Sequence, residues 1–118
     1  MPRPLNNTDT DLTADNLLRL PAEFGCPVWV YDAQIIRAQI GKLSQFDVVR
    51  FAQKACSNIH ILRLMREQGV KVDSVSLGEI ERALAAGFVP GKDEIVFTAD
   101  MIDEATLARV HELRIPVN

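Results

Sequence analysis

Four short β-prone runs, "VVRFA", "VDSVS", "EIVFTA" and "IPVN", constrain the fold more than any other feature of this chain. Their starts lie about 20 to 24 residues apart, too close for most two-helix repeats and suited to strand-plus-helix units. A helical segment follows each of the first three. The runs are apolar with little strict alternation, which argues for parallel strands covered by helices. Right-handed crossovers then leave a barrel or an open doubly wound sheet.

The intervening segments carry helix start and stop signals. Ser57 caps a helix whose Ile61, Leu62 and Met65 share a face, and Gly69 provides the left-handed stop. In "SLGE", Ser76 and Glu79 fit a capping box, with Ile80, Ala83 and Leu84 as the buried stripe before Gly87. A third helix is expected to start near Asp100 and to bury Ile102, Leu107 and Val110.

Ahead of this rhythm, Leu17, Leu18 and Leu20 mark a short helix that Pro21 and Gly25 punctuate. "PVWVYD" then reads as a first strand, with Trp29 and Tyr31 on one face for core or interdomain packing. Asp32 is a good N-cap for a helix that places Ile36, Ile40 and Leu43 on one face and weakens at Gly41. The expected organisation is therefore residues 1–31 as a lead-in helix and first strand, and residues 32–118 as a partial (β/α) barrel.

Several functions are disfavoured by what the strands and the composition lack. "QKACSN", "SVSLGE" and "TADMID" carry neither the dinucleotide fingerprint nor the P-loop pattern. A net charge of −3 provides no basic footprint for nucleic acid. Cys26 and Cys56 belong to no metal spacing and read as free thiols in a reducing cytoplasm. No apolar run approaches the length of a signal sequence or a membrane span, so a cytoplasmic protein without membrane partners is expected.

A complete eight-stranded barrel needs about 200 to 250 residues, roughly twice what four units provide. Half a barrel would expose strand edges and an open apolar face. The chain is expected to be the N-terminal half of an α/β, (β/α)8 TIM-type barrel with parallel strands.

In such a barrel the C-terminal strand ends converge on one mouth, and the residues placed there are Lys54, Asp73, Ser76 and Thr98. A neutral lysine amine at the end of an apolar strand can attack a carbonyl. The spacing alone equally fits a solvated strand-end lysine, an aspartate that accepts loop amides, and a purely capping pair in Ser76 and Glu79. Cys56 and His60 lie four apart without a third group, and neither His60 nor His111 has metal-ligand company.

"FAQKACSN" followed by "VDSVSLGEIERALAAG" resembles the first two barrel strands of the pyridoxal-phosphate decarboxylases of the alanine-racemase-like fold. Within that fold the sequence is most similar to the bacterial diaminopimelate decarboxylases, and "EFGCPVWVYD" resembles the opening segment of that family. The resemblance implies that Lys54 anchors pyridoxal 5'-phosphate and then acts as acid or base, and that Asp73 lies near the cofactor and the lysine. It implies an amino-acid substrate, meso-diaminopimelate going to L-lysine and carbon dioxide in the last step of lysine biosynthesis, and a homodimer. It also implies that the phosphate-binding segment, the acid against the pyridine nitrogen and a second β domain lie outside this chain, which should then be inactive alone. Phe51 and Cys56 depart from the tyrosine and asparagine common at those positions, and each removes hydrogen-bonding capacity. Another decarboxylase of the same fold, acting on ornithine, arginine or a carboxylated polyamine, and a non-catalytic pyridoxal-phosphate-binding protein stay open as alternatives.

Overall fold

A computed structural model describes residues 12–118, which divide into two compact units at Gly41. In the first unit, α1 spans Ala14–Phe24 and α2 spans Ala33–Gly41. Thr13 caps α1 through its hydroxyl, which accepts from the Asn16 amide at 3.2 Å, and Gly25 ends it at φ 87°. Pro21 does not interrupt α1, contrary to expectation; the Gly25 amide reaches the Pro21 carbonyl at 2.9 Å. No residue of α1 is buried, so water can serve the carbonyl that the missing Pro21 N–H leaves open. Asp32 caps α2 as expected, with Oδ1 accepting from Gln34 N at 2.7 Å and Ile35 N at 3.2 Å.

The strand expected over "PVWVYD" is absent. Residues 27–32 lack strand pairing, and Trp29 is 86% exposed and Tyr31 55% exposed, outside any core. Alternation of Val and aromatic residues supplies β propensity, but a strand exists only where a neighbour completes its ladder.

The second unit, Lys42–Asn118, holds β1 (Arg50–Ala52), α3 (Ile59–Glu67), β2 (Lys71–Ser74), α4 (Leu77–Ala85), β3 (Ile95–Phe97) and α5 (Glu104–Glu112). A single 3-10 turn, Gln53–Ala55, continues from β1. All three strands are parallel in the order β1–β2–β3, with Phe51 opposite Val72 and Val72 opposite Ile95. The fourth β-prone run contributes a parallel bridge from Val117 to Phe97, where the Phe97 amide donates to Pro116 O and the Asn118 amide to Phe97 O, both at 2.9 Å. That bridge separates the two architectures. A doubly wound sheet reverses its strand order at a switch point, whereas a barrel adds each new strand beside the last. The chain forms part of a TIM-type barrel.

One face of the sheet meets the helices. Val72, Ile95 and Phe97 pack with Leu62 of α3, Ile80 and Ala83 of α4 and Val110 of α5, all nearly inaccessible. Burying each large side chain stabilises the unit by about 1.5–3 kcal/mol. The alternate residues Arg50, Lys71, Asp73 and Val96 share the other, half-buried face. At the N-terminal end of that face, Arg50 Nη2 and Lys71 Nζ each reach a carboxylate oxygen of Asp93 at 2.7 Å. Asp93 stands at φ 57°, a left-handed conformation that aspartate tolerates better than most side chains.

The helix boundaries refine the expectations. Asn58, not Ser57, caps α3, its Oδ1 accepting from His60 N at 2.9 Å, while the Ser57 hydroxyl donates to Gln53 O at 3.1 Å. Gly69 stops α3 at φ 76° and Gly87 follows α4 at φ 100°. The helix expected to start near Asp100 begins at Glu104, capped by Asp103, which accepts from Thr106 N at 2.7 Å. Ile102 therefore lies ahead of the helix and is exposed, and within α5 Val110 is buried whereas Leu107 is exposed.

Candidate functional site

The C-terminal ends of the three strands form one rim. At the end of β1 the 3-10 turn carries Lys54 with its side chain exposed. Asp73, the next-to-last residue of β2, lies opposite Ala52 in register and is half-buried. Thr98 follows β3 and its amide donates to Ser74 O at 2.9 Å, which fixes it beside the end of β2.

Three oxygens on this rim are buried yet have no hydrogen-bond partner within the protein: Gln53 Oε1, Asp73 Oδ1 and Thr98 Oγ1. Buried polar atoms are nearly always satisfied, and those that are not tend to mark a ligand or a functional constraint. Two are pure acceptors and the third can also donate. Lys54, Asp73 and Thr98 are thus brought to one end of adjacent strands, as the sequence suggested.

Ser76 serves another purpose. Its hydroxyl accepts from Glu79 N at 3.2 Å and so caps α4, while Glu79 Oε2 accepts from Val75 N at 2.8 Å. The reciprocal contact is displaced by one residue from the usual capping box, because the carboxylate reaches past Ser76 to the preceding amide.

Gln53 and Ser74 were not legible as site residues. Both are wholly buried, and Gln53 Nε2 donates to Ser74 Oγ at 2.7 Å. The available signal was periodic: Gln53 and Ser74 fall on the same alternation as Phe51 and Val72, where apolar residues would be expected.

Residues 32–118 match the family described as "Pyridoxal-dependent decarboxylase, pyridoxal binding domain". The chain belongs to this family. Among curated members, it is 82% identical over 120 residues to diaminopimelate decarboxylase of Escherichia coli K12, covering 100% of this chain and 29% of that protein. It is 65% identical over 109 residues to the Streptomyces coelicolor enzyme of the same name, covering 91% of this chain and 25% of the relative. A crystal structure of diaminopimelate decarboxylase superposes with a TM-score of 0.89 at 82% identity, over 99% of this chain and 28% of that one. The Helicobacter pylori enzyme, solved in complex with L-lysine, gives 0.67 at 28% identity, over 87% and 26%. The chain therefore spans somewhat under a third of the length of these decarboxylases. No helix among the described residues is long and apolar enough to cross a membrane.

Proposed function

We propose that this chain is the cofactor-anchoring segment of a diaminopimelate decarboxylase, with Lys54 as the amine that holds pyridoxal 5'-phosphate and Asp73 beside it. The observation that carries this reading is the rim itself, with an exposed lysine at the end of β1 and a buried, unpartnered carboxylate oxygen at the end of β2. Membership of a pyridoxal-binding family and 82% identity to the Escherichia coli enzyme support it.

The residues present suit the cofactor. Lys54 would hold the cofactor through Nζ and, once the substrate amine has taken its place, would hold or move a proton at that atom. Asp73 orients that amine and stabilises its protonated form, as an acceptor-only carboxylate does for a neighbouring cation. Thr98 Oγ1 would add a polar contact on the same rim. When bound, pyridoxal phosphate supplies an electron sink for the charge left as carbon dioxide departs.

The substrate in this reading is meso-diaminopimelate and the product L-lysine. The enzymes that carry this name lend support, as does the bound L-lysine in the Helicobacter pylori structure. Function as a cytoplasmic homodimer belongs to the same proposal, as the family resemblance implies.

The test is chemical. A chimera in which this chain replaces the corresponding segment of the Escherichia coli relative is incubated with pyridoxal phosphate, reduced with borohydride and mapped by mass spectrometry; the adduct is expected on Lys54 and is lost in Lys54→Ala. Label spread evenly over Lys42, Lys54, Lys71 and Lys92 would refute the assignment. The chimera should release carbon dioxide from diaminopimelate, and Lys54→Ala within it should not.

A further inference from the structure

We infer that Gln53 and Ser74 act together as positioning residues for Lys54, through the buried hydrogen bond that ties the end of β1 to the end of β2. The inference rests on the reading of Lys54 as the cofactor anchor.

Gln53 immediately precedes Lys54 and Ser74 immediately follows Asp73, so a bond between them couples the two segments that carry the candidate site. Both side chains are completely buried, and Nε2 lies 2.7 Å from Oγ. The main chain of Gln53 is held as well. Its carbonyl accepts from Cys56 N at 2.9 Å and from the Ser57 hydroxyl at 3.1 Å, which closes the turn around Lys54.

Lys54 is itself exposed, so its placement depends on the backbone turn that carries it. A hydrogen bond is directional, and a buried one stays dry, so it fixes that turn against β2 in a way an apolar contact would not. Stability does not require it. The neighbouring positions Phe51, Val72, Ile95 and Phe97 are apolar, and replacing both partners of a buried pair by apolar groups of similar shape is commonly near neutral. A polar pair kept on this alternation therefore points to geometry.

The experiment uses the chimera described above, pyridoxal phosphate and borohydride, and reads the ratio of label on Lys54 to label on the exposed Lys92. Ser74→Ala is expected to lower that ratio by roughly tenfold or more, since a small misplacement of a reacting group has large kinetic effects. The double variant Gln53→Met/Ser74→Ala, which leaves neither member of the pair as an unpaired polar group, should melt at or above the wild-type temperature yet keep the low ratio. Ser74→Thr retains the hydroxyl and should restore it. A double variant with the wild-type ratio, or a folded Ser74→Thr that labels as poorly as Ser74→Ala, overturns the inference. A chimera without these substitutions that shows no preference for Lys54 instead sinks the anchor reading on which it rests.

Discussion

Asp73 and Lys54 leave the same end of adjacent parallel strands: Asp73 pairs in register with Ala52, and Lys54 follows Ala52 by two residues. Parallel pairing makes this possible, because every strand in such a sheet delivers its C-terminal residue to the same side. Two side chains 19 positions apart in sequence (73 − 54) are thereby placed on one rim.

Asp73→Asn should leave the fold intact or stabilise it by up to about 1 kcal/mol, since a carboxylate with a buried, unpartnered oxygen does little for stability. Its effect should fall on borohydride-trapped label at Lys54. Urea unfolding supplies the check, and a loss of more than about 1 kcal/mol would make Asp73 a structural residue.

Removal of core volume should separate the two apolar positions originally grouped in the helical stripes. Leu62→Ala, at a site with no exposure, is expected to destabilise by roughly 2–5 kcal/mol. Leu107→Ala, 51% exposed on α5, should change stability by no more than about 0.5 kcal/mol. Equal losses would contradict the burial of Leu62 and the exposure of Leu107.

The cap of α3 can be assigned by two substitutions. Asn58→Ala is expected to cost roughly 0.5–2 kcal/mol through the lost bond to the His60 amide. Ser57→Ala should cost less, because its hydroxyl serves the Gln53 carbonyl, not the helix. The reverse ranking would restore Ser57 as the cap.

Acid should act on the Asp93 clamp. The hydrogen bond from Lys71, reinforced by Arg50, holds the Asp93 carboxyl below the usual aspartate range. A depressed folded-state value means that the unfolded chain binds the proton first. The contribution is therefore complete above the ordinary value of about 3.9 and is lost as pH falls through the lower folded value. Asp93→Asn should flatten the acid limb of a stability-against-pH curve over that window; an unchanged limb would show that the clamp is screened by solvent.

Much of the strand-helix rhythm was readable because it is local. Val72, Ile95 and Phe97 lie in runs that only a strand buries well, and Gly69 and Gly87 stop their helices through φ values that glycine alone adopts freely. The cap of α3 differs from the expectation by one residue, because Ser57 has the right chemistry but Asn58 reaches the amides, and α5 starts a few residues after Asp100, where Asp103 caps it. In the candidate site, Lys54 and Asp73 stood out through their motifs, whereas Gln53 and Ser74 did not: nothing in a one-dimensional pattern says that a glutamine will find a serine 21 residues away.

The α/β alternation, the parallel character of the strands and the lysine and aspartate at their ends follow from side-chain type and short-range spacing alone. Tertiary structure decided the rest. "PVWVYD" has strand propensity but no ladder partner, and the bridge from Val117 to Phe97 chose the barrel order over a doubly wound sheet. Both outcomes turn on backbone hydrogen bonds between distant segments, whose pairing depends on which edge is free when the chain arrives.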